Sequence, residues 1–137
     1  MSDPALDVVS QIVAQGVSGL TLNKNLFSTI PPRAPGRGVP QKAVFALQSG
    51  GRTPTGFLDG NSGINMRYPV VTLTVRSSPH NFSEGQQLAR AVYNALHRKS
   101  FGNYVSAIIR QSEPLYLQQE ENGCFVWSMD CDLLAVE

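Results

Sequence analysis

The segment 124–136 alternates strictly through its middle: Phe125, Trp127, Met129, Cys131 and Leu133 occupy odd positions, and Ser128, Asp130 and Asp132 even ones. Successive side chains of a strand point to opposite faces, so this pattern demands a strand buried on one side only. The odd set is core, and the aspartates belong to a solvated outer face. Such a strand needs sheet neighbours for its backbone and a covering layer for its apolar side.

Both requirements are legible upstream. Tyr68-Pro69-Val70-Val71-Thr72-Leu73-Thr74-Val75-Arg76 is a second strand, with Val71, Leu73 and Val75 facing one way and Val70, Thr72, Thr74 and Arg76 the other. Pro69 fits only near its start. Ala43 to Gln48 is short and apolar enough for a third strand. Residues 105–111 and 115–118 supply two more, and Glu120-Glu121-Asn122-Gly123 is a hairpin turn into the last strand. Leu20, Leu22, Leu26 and Phe27 suggest a short extended segment.

Two helices provide the cover. Asp3 reads as an N-cap with Pro4 at the first helical position, and Ala5, Val8, Val9, Ile12, Val13 and Val17 recur at helical spacing toward Gly16 or Gly19. Ser83 with Gln86 reads as a capping box for a second helix with Leu88, Ala89, Val92, Ala95 and Leu96 as its apolar stripe. His97, Arg98 and Lys99 are expected in its last turn, where positive charge complements the helix dipole. The expected fold is α+β: a mostly antiparallel sheet of about four to five strands, the final three in a meander, with two main helices packed on one face.

Two segments resist both patterns. Residues 28–40 are dense in proline and glycine, which excludes helix interiors and central strands. Residues 50–67 hold five glycines and a proline, and exceed the roughly 12–15 residues beyond which a structureless loop is usually functional or disordered. Both are expected to be long flexible loops on a single domain spanning 1–137, the second becoming ordered on contact with a partner.

Composition bears on partners. At 137 residues the chain can bury a core without disulfides or metal. Only 15% of residues are charged, against about 25% in an average soluble chain, and the net charge is +1. Nothing advertises a polyanion partner, and a surface poor in charge favours contact with other subunits. Met1-Ser2-Asp3-Pro4 is not a cationic leader, and no apolar run approaches the roughly 18 residues of a membrane helix, so a soluble cytoplasmic protein without membrane contact is expected. Cys124 and Cys131 lie seven steps apart on one strand, roughly 23 Å at about 3.3 Å per residue, so they cannot bond and read as reduced thiols.

No catalytic constellation is visible. His80, in a Ser-Pro-His-Asn turn, and His97, at a helix end, have no nucleophile or orienting acid beside them in any motif. The cysteines and histidines lack the paired spacings of a zinc site, and Asp130 with Asp132 offers too few ligands for a hard cation. Residues 50–56 lack the Gly-Lys-Ser/Thr ending of a phosphate loop. Glu120 and Glu121 sit beside a turn and call for no further role. No enzyme activity, cofactor or metal is expected. Arg33, Arg37, Arg52 and Arg67 border the two long segments, where guanidinium groups could reach a phosphate or a partner's carboxylate.

From Arg76-Ser77-Ser78-Pro79-His80-Asn81-Phe82-Ser83-Glu84 through Leu88-Ala89, Val92-Tyr93 and Leu96, the chain resembles the tail terminator and minor capsid proteins of long-tailed bacteriophages. In that family an apolar strand ending in arginine leads through an aromatic-plus-acid turn to a helix of this spacing. The strand and Gly-Gly turn at 44–51, Glu113-Pro114-Leu115 and the Asn122-Gly123 hairpin follow in the family's order. Gly85 departs from it, since alanine is commoner there, and the segment 28–40 is longer than the family's.

The resemblance implies a structural virion protein at the head-tail junction, made in the host cytoplasm. It would form a ring, commonly hexameric, that caps the tail tube, stops its polymerisation and offers the surface for head attachment. Implied partners are other copies of itself, the tail tube protein and a head-completion or connector protein, with passing contact to DNA in the lumen. Arg33, Arg37, Arg52, Arg67, Phe57 and Asp59 are the candidate partner or lumen contacts. Two alternatives remain: a head-completion or connector protein on the head side of the joint, and a small nucleic-acid-binding α+β module using the loop arginines.

Overall fold

The computed structural model describes residues 3–17, 19–28, 42–56, 65–121 and 123–136, with side chains at all of these but 52–56 and 65. Helix α1 spans Pro4–Ala14. Asp3 caps it, its Oδ1 accepting from the Ala5 amide at 3.0 Å and the Leu6 amide at 3.3 Å. Ala5, Val8, Val9 and Ile12 are buried as their spacing requires, whereas Val13, expected in the stripe, is 51% exposed.

Helix α2 spans Phe82–Leu96. Its cap is Asn81 and not the Ser83 expected from the Ser83/Gln86 pair. Asn81 Oδ1 accepts from the Glu84 amide at 3.1 Å, and Glu84 Oε2 accepts from Asn81 Nδ2 at 3.3 Å. Both pairs satisfy the capping-box spacing, but the chain turns at His80, with φ +59, which leaves Asn81 as the last non-helical residue. The basic trio also falls elsewhere than expected. His97 is the C-cap in extended conformation, Arg98 has φ +59, and Lys99 already begins a strand, so no basic residue lies in the last turn.

Among the described residues seven strands form one sheet, more than the four to five expected: β1 Leu26–Phe27, β2 Ala43–Gly56, β3 Asn65–Arg76, β4 Lys99–Phe101, β5 Tyr104–Ile109, β6 Leu115–Gln119 and β7 Phe125–Val136. Of the two beyond the count, β1 falls in the short extended segment expected at Leu26 and Phe27, and β4 has three residues, too short to show any alternation. The order is β1-β2-β3-β7-β5-β4, with β6 also on β7, and every pairing is antiparallel except β1 with β2. The expected meander is therefore absent. β7 sits in the middle of the sheet, and its twelve residues carry β6 and then β5 end to end along one side.

The segment 50–67 is not one loop. β2 takes residues 50–56 and β3 takes 65–67, while 57–64 and 29–40 lie outside the described residues. The glycines mark irregular pairing: the register shifts between Gln48 and Gly51 and again between Arg52 and Thr55. Gly50 takes φ +89, and a Cβ at Gly51 would overlap the Tyr68 carbonyl oxygen.

Both helices pack on one face of the sheet. α1 lies over β2 and β3, and α2 over β7, β3 and β5. Between them the odd residues of β3 and β7, including Leu73, Val75, Trp127, Met129 and Cys131, meet Val8, Ile12, Val92 and Leu96 in one core.

Candidate functional site

The chemistry-bearing side chains are occupied by structure. His80 is an exposed turn residue whose amide donates to the Gly123 carbonyl at 2.9 Å. His97 Nδ1 accepts from the Ile109 amide at 3.0 Å, and its ring lies 4.8 Å from that of Tyr93, which ties the end of α2 to β5. This bond, and not the helix dipole, accounts for His97. Burial pushes the Cys131 thiol up to about 12, and burial raises Cys124 as well, against the pull of the Arg76 guanidinium. Neither thiol is an activated nucleophile. Among the described residues no group of three or more His, Cys, Asp and Glu could hold a metal ion.

Of the candidate contacts, Arg33, Arg37, Phe57 and Asp59 lie outside the described residues. Arg52 lies on β2 and Arg67 on the neighbouring β3: Arg52 pairs with Tyr68, the next residue after Arg67, and Arg67 pairs with Ala135.

The face of the sheet away from the helices carries an ordered polar network that centres on Asp130. Thr72 Oγ1 donates to Asp130 Oδ1 at 2.8 Å and lies 2.9 Å from Ser49 Oγ. The Gln111 side-chain amide donates to Asp130 Oδ2 at 3.0 Å and accepts from the Asp130 amide at 2.9 Å. Gln111 thereby stands in for a strand residue in the gap between β5 and β6. Arg110 grips Asp132 with two nitrogens, at 2.7 and 3.2 Å, and this hydrogen-bonded carboxylate raises the guanidinium pKa. The solvated outer face expected for the two aspartates is present, but its side chains are fixed.

Strand β6 is different. All five of its residues are exposed, and Leu115, Tyr116 and Leu117 remain 52%, 42% and 51% accessible. Tyr116 joins a cluster with Phe82, Phe125 and Trp127, its ring 5.5 Å from Phe82 in an edge-on arrangement. Phe82 is itself 41% exposed. An apolar strip of this kind on a strand edge is the sort of surface that soluble proteins cover with a partner. Its signal in the sequence was Leu115-Tyr116-Leu117, where apolar residues run on without alternation.

No curated protein matches the chain. A solved structure described as the virion of a native gene transfer agent particle contains a chain with this fold, at TM-score 0.60 and 13% identity over 97% of each chain. The family model described as bacteriophage tail terminator protein matches residues 20–136. Strand, turn, α2 and closing hairpin all fall within that span, and the chain belongs to the bacteriophage tail terminator protein family.

Proposed function

We propose that this chain is a structural virion protein, without catalytic activity, that folds as one domain and terminates the tail at the head-tail junction. Its subunits form a closed ring, hexameric by the family's pattern, that seats on the finished tail tube, stops polymerisation and presents a surface to the head-completion protein. The family match across residues 20–136 carries this reading. The fold shared with a chain of a gene transfer agent virion and the exposed apolar edge at β6 support it. Arg33, Arg37, Arg52 and Arg67, with Phe57 and Asp59, are the proposed contacts to tube, neighbour or passing DNA. Assembly takes place in the host cytoplasm.

Deleting the gene from the virion's genome tests this. The expected result is tails of unregulated length with unattached filled heads, corrected by supplying the protein in trans. Tails of normal length joined to heads would overturn the proposal. Protein found on tailless heads and absent from isolated tails would assign it to the head side of the joint instead.

A further inference from the structure

Strand β6 is an edge without guards. Its backbone bonds to β7 along one side, and among the described residues nothing pairs with the other. Soluble proteins blunt such an edge with lysine, proline or a covering loop, whereas β6 reads Leu-Tyr-Leu-Gln-Gln and is exposed throughout. Its apolar side chains serve both faces of the sheet. Leu115 stands opposite Ser128, which points away from the helices, while Tyr116 stands opposite Trp127 and packs beside Phe82 on the helix side.

Both ends of the strand open into depressions. One lies between Arg90 and Glu113 at its start, and the other, at its end, is lined among the described residues by Gln118, Gln119, Glu120 and Glu121. Charge at the second is one-sided, since residues 111–137 contain no lysine or arginine. Arg76 answers Glu120, and Arg90 approaches Glu113 at 3.8 Å. Glu121 is exposed and meets no basic side chain among the described residues.

We propose that β6 is a strand-addition site for an extended apolar segment of another protein, with a basic residue where that segment passes Glu121. Main-chain bonds to the free side of Leu115–Gln119 hold the segment, β-branched or aromatic side chains cover Leu115, Tyr116 and Leu117, and a lysine or arginine meets the Glu121 carboxylate. A second copy of this chain fits less well. The antiparallel register that overlaps all of two β6 strands is centred on Leu117 and sets Glu113 against Glu121 at either end. The other edges are poor matches: β4 has three residues, β1 has two and is already bridged by Leu22, and β2 beyond Phe45 is broken by two register shifts. The site is independent of the terminator reading, because it specifies what binds and not what the assembly does.

Titrating the intact chain with a peptide of alternating valine and threonine, as long as β6 and with lysine at each end, tests the site. Calorimetry should give a Kd at or below about 1 mM. The emission of Trp127, the single tryptophan, should change with it, since the Tyr116 ring lies 5.6 Å away. The same peptide methylated at its backbone nitrogens should not bind. A glutamate-ended peptide should bind wild type about fivefold more weakly and recover on Glu121→Lys. Leu117→Lys, at an exposed position and checked for folding by circular dichroism, should lose the lysine-ended peptide. Absence of binding at about 1 mM would overturn the proposal, as would binding indifferent to methylation, to Leu117→Lys or to the sign of the peptide's ends. Self-association in sedimentation velocity that Leu117→Lys abolishes would make a second copy the occupant instead. Unregulated tails in the deletion virion without peptide binding would sink this site and leave the terminator reading standing; normal tails with peptide binding would do the reverse.

Discussion

Arg76 Nε donates to Glu120 Oε1 at 2.7 Å, joining the end of β3 to the turn between β6 and β7 across 44 residues of sequence. The Arg76 side chain is 6% exposed, so its charge depends on protein partners for solvation, and Glu120 has a role that its place beside a turn did not announce.

Replacing Glu120 by alanine should therefore cost about 1–3 kcal/mol in urea unfolding, since it withdraws a charged acceptor from a buried guanidinium. Arg76→Met combined with Glu120→Leu should be less destabilised than Glu120→Ala alone, because the buried charge goes too. Equal midpoints for wild type and Glu120→Ala would show that the pair contributes nothing.

Gly85→Ala should destabilise the protein although alanine is the better helix former. A Cβ at this position would overlap the Trp127 ring, 2.6 Å from Cη2, and would lie 2.7 Å from Ser77 Cβ. Trp127 is buried and held by Phe82, Phe125 and Tyr116, so overpacking at about 1–3 kcal/mol outweighs the roughly 1 kcal/mol gained in helix propensity. A melting temperature at or above that of wild type would contradict the packing argument. This contact also explains why glycine stands inside a helix at this position.

His97→Phe should keep the ring packing on Tyr93 and lose the acceptor for the Ile109 amide. That amide belongs to a buried residue, so its hydrogen exchange should accelerate and stability fall by about 1–3 kcal/mol. Unchanged exchange at Ile109 would refute the role given to Nδ1.

Alkaline pH should act through Cys131. Its thiol is raised from an ordinary 9.0 to about 12 in the folded chain, chiefly by burial, so the folded state keeps a proton that the unfolded state releases. The stabilisation is complete below about pH 9 and is lost as pH rises from there toward 12. Relative to Cys131→Val, wild type should lose up to about 1.4 kcal/mol per pH unit in that window. Parallel stability curves for the two proteins would sink the assignment.

Much of the fold could be read from residue order. The alternation in 124–136 placed Trp127, Met129 and Cys131 inside and Asp130 outside, as found, because period and face are local properties of a strand. Both helices and their buried stripes were equally legible, Val13 excepted. The misreadings share one cause, which is that a local pattern was ambiguous until distant residues chose. Ser83/Gln86 and Asn81/Glu84 are both capping boxes by spacing, and the turn at His80, bonded to Gly123, picked the second. Glycines 50 and 51 read as loop, whereas β3 lay beside them and made them irregular strand.

By itself the sequence determined the α+β class, the two helices, the sidedness of β3 and β7 and the kinship with tail terminators, since these rest on spacing along the chain. Tertiary structure alone decided that β7 lies at the centre of the sheet, that β6 and β5 share its flank, and that Gln111 fills the gap between them. Strand order follows from which long-range pairings bury the most apolar surface and satisfy the most backbone, a competition that no local window contains.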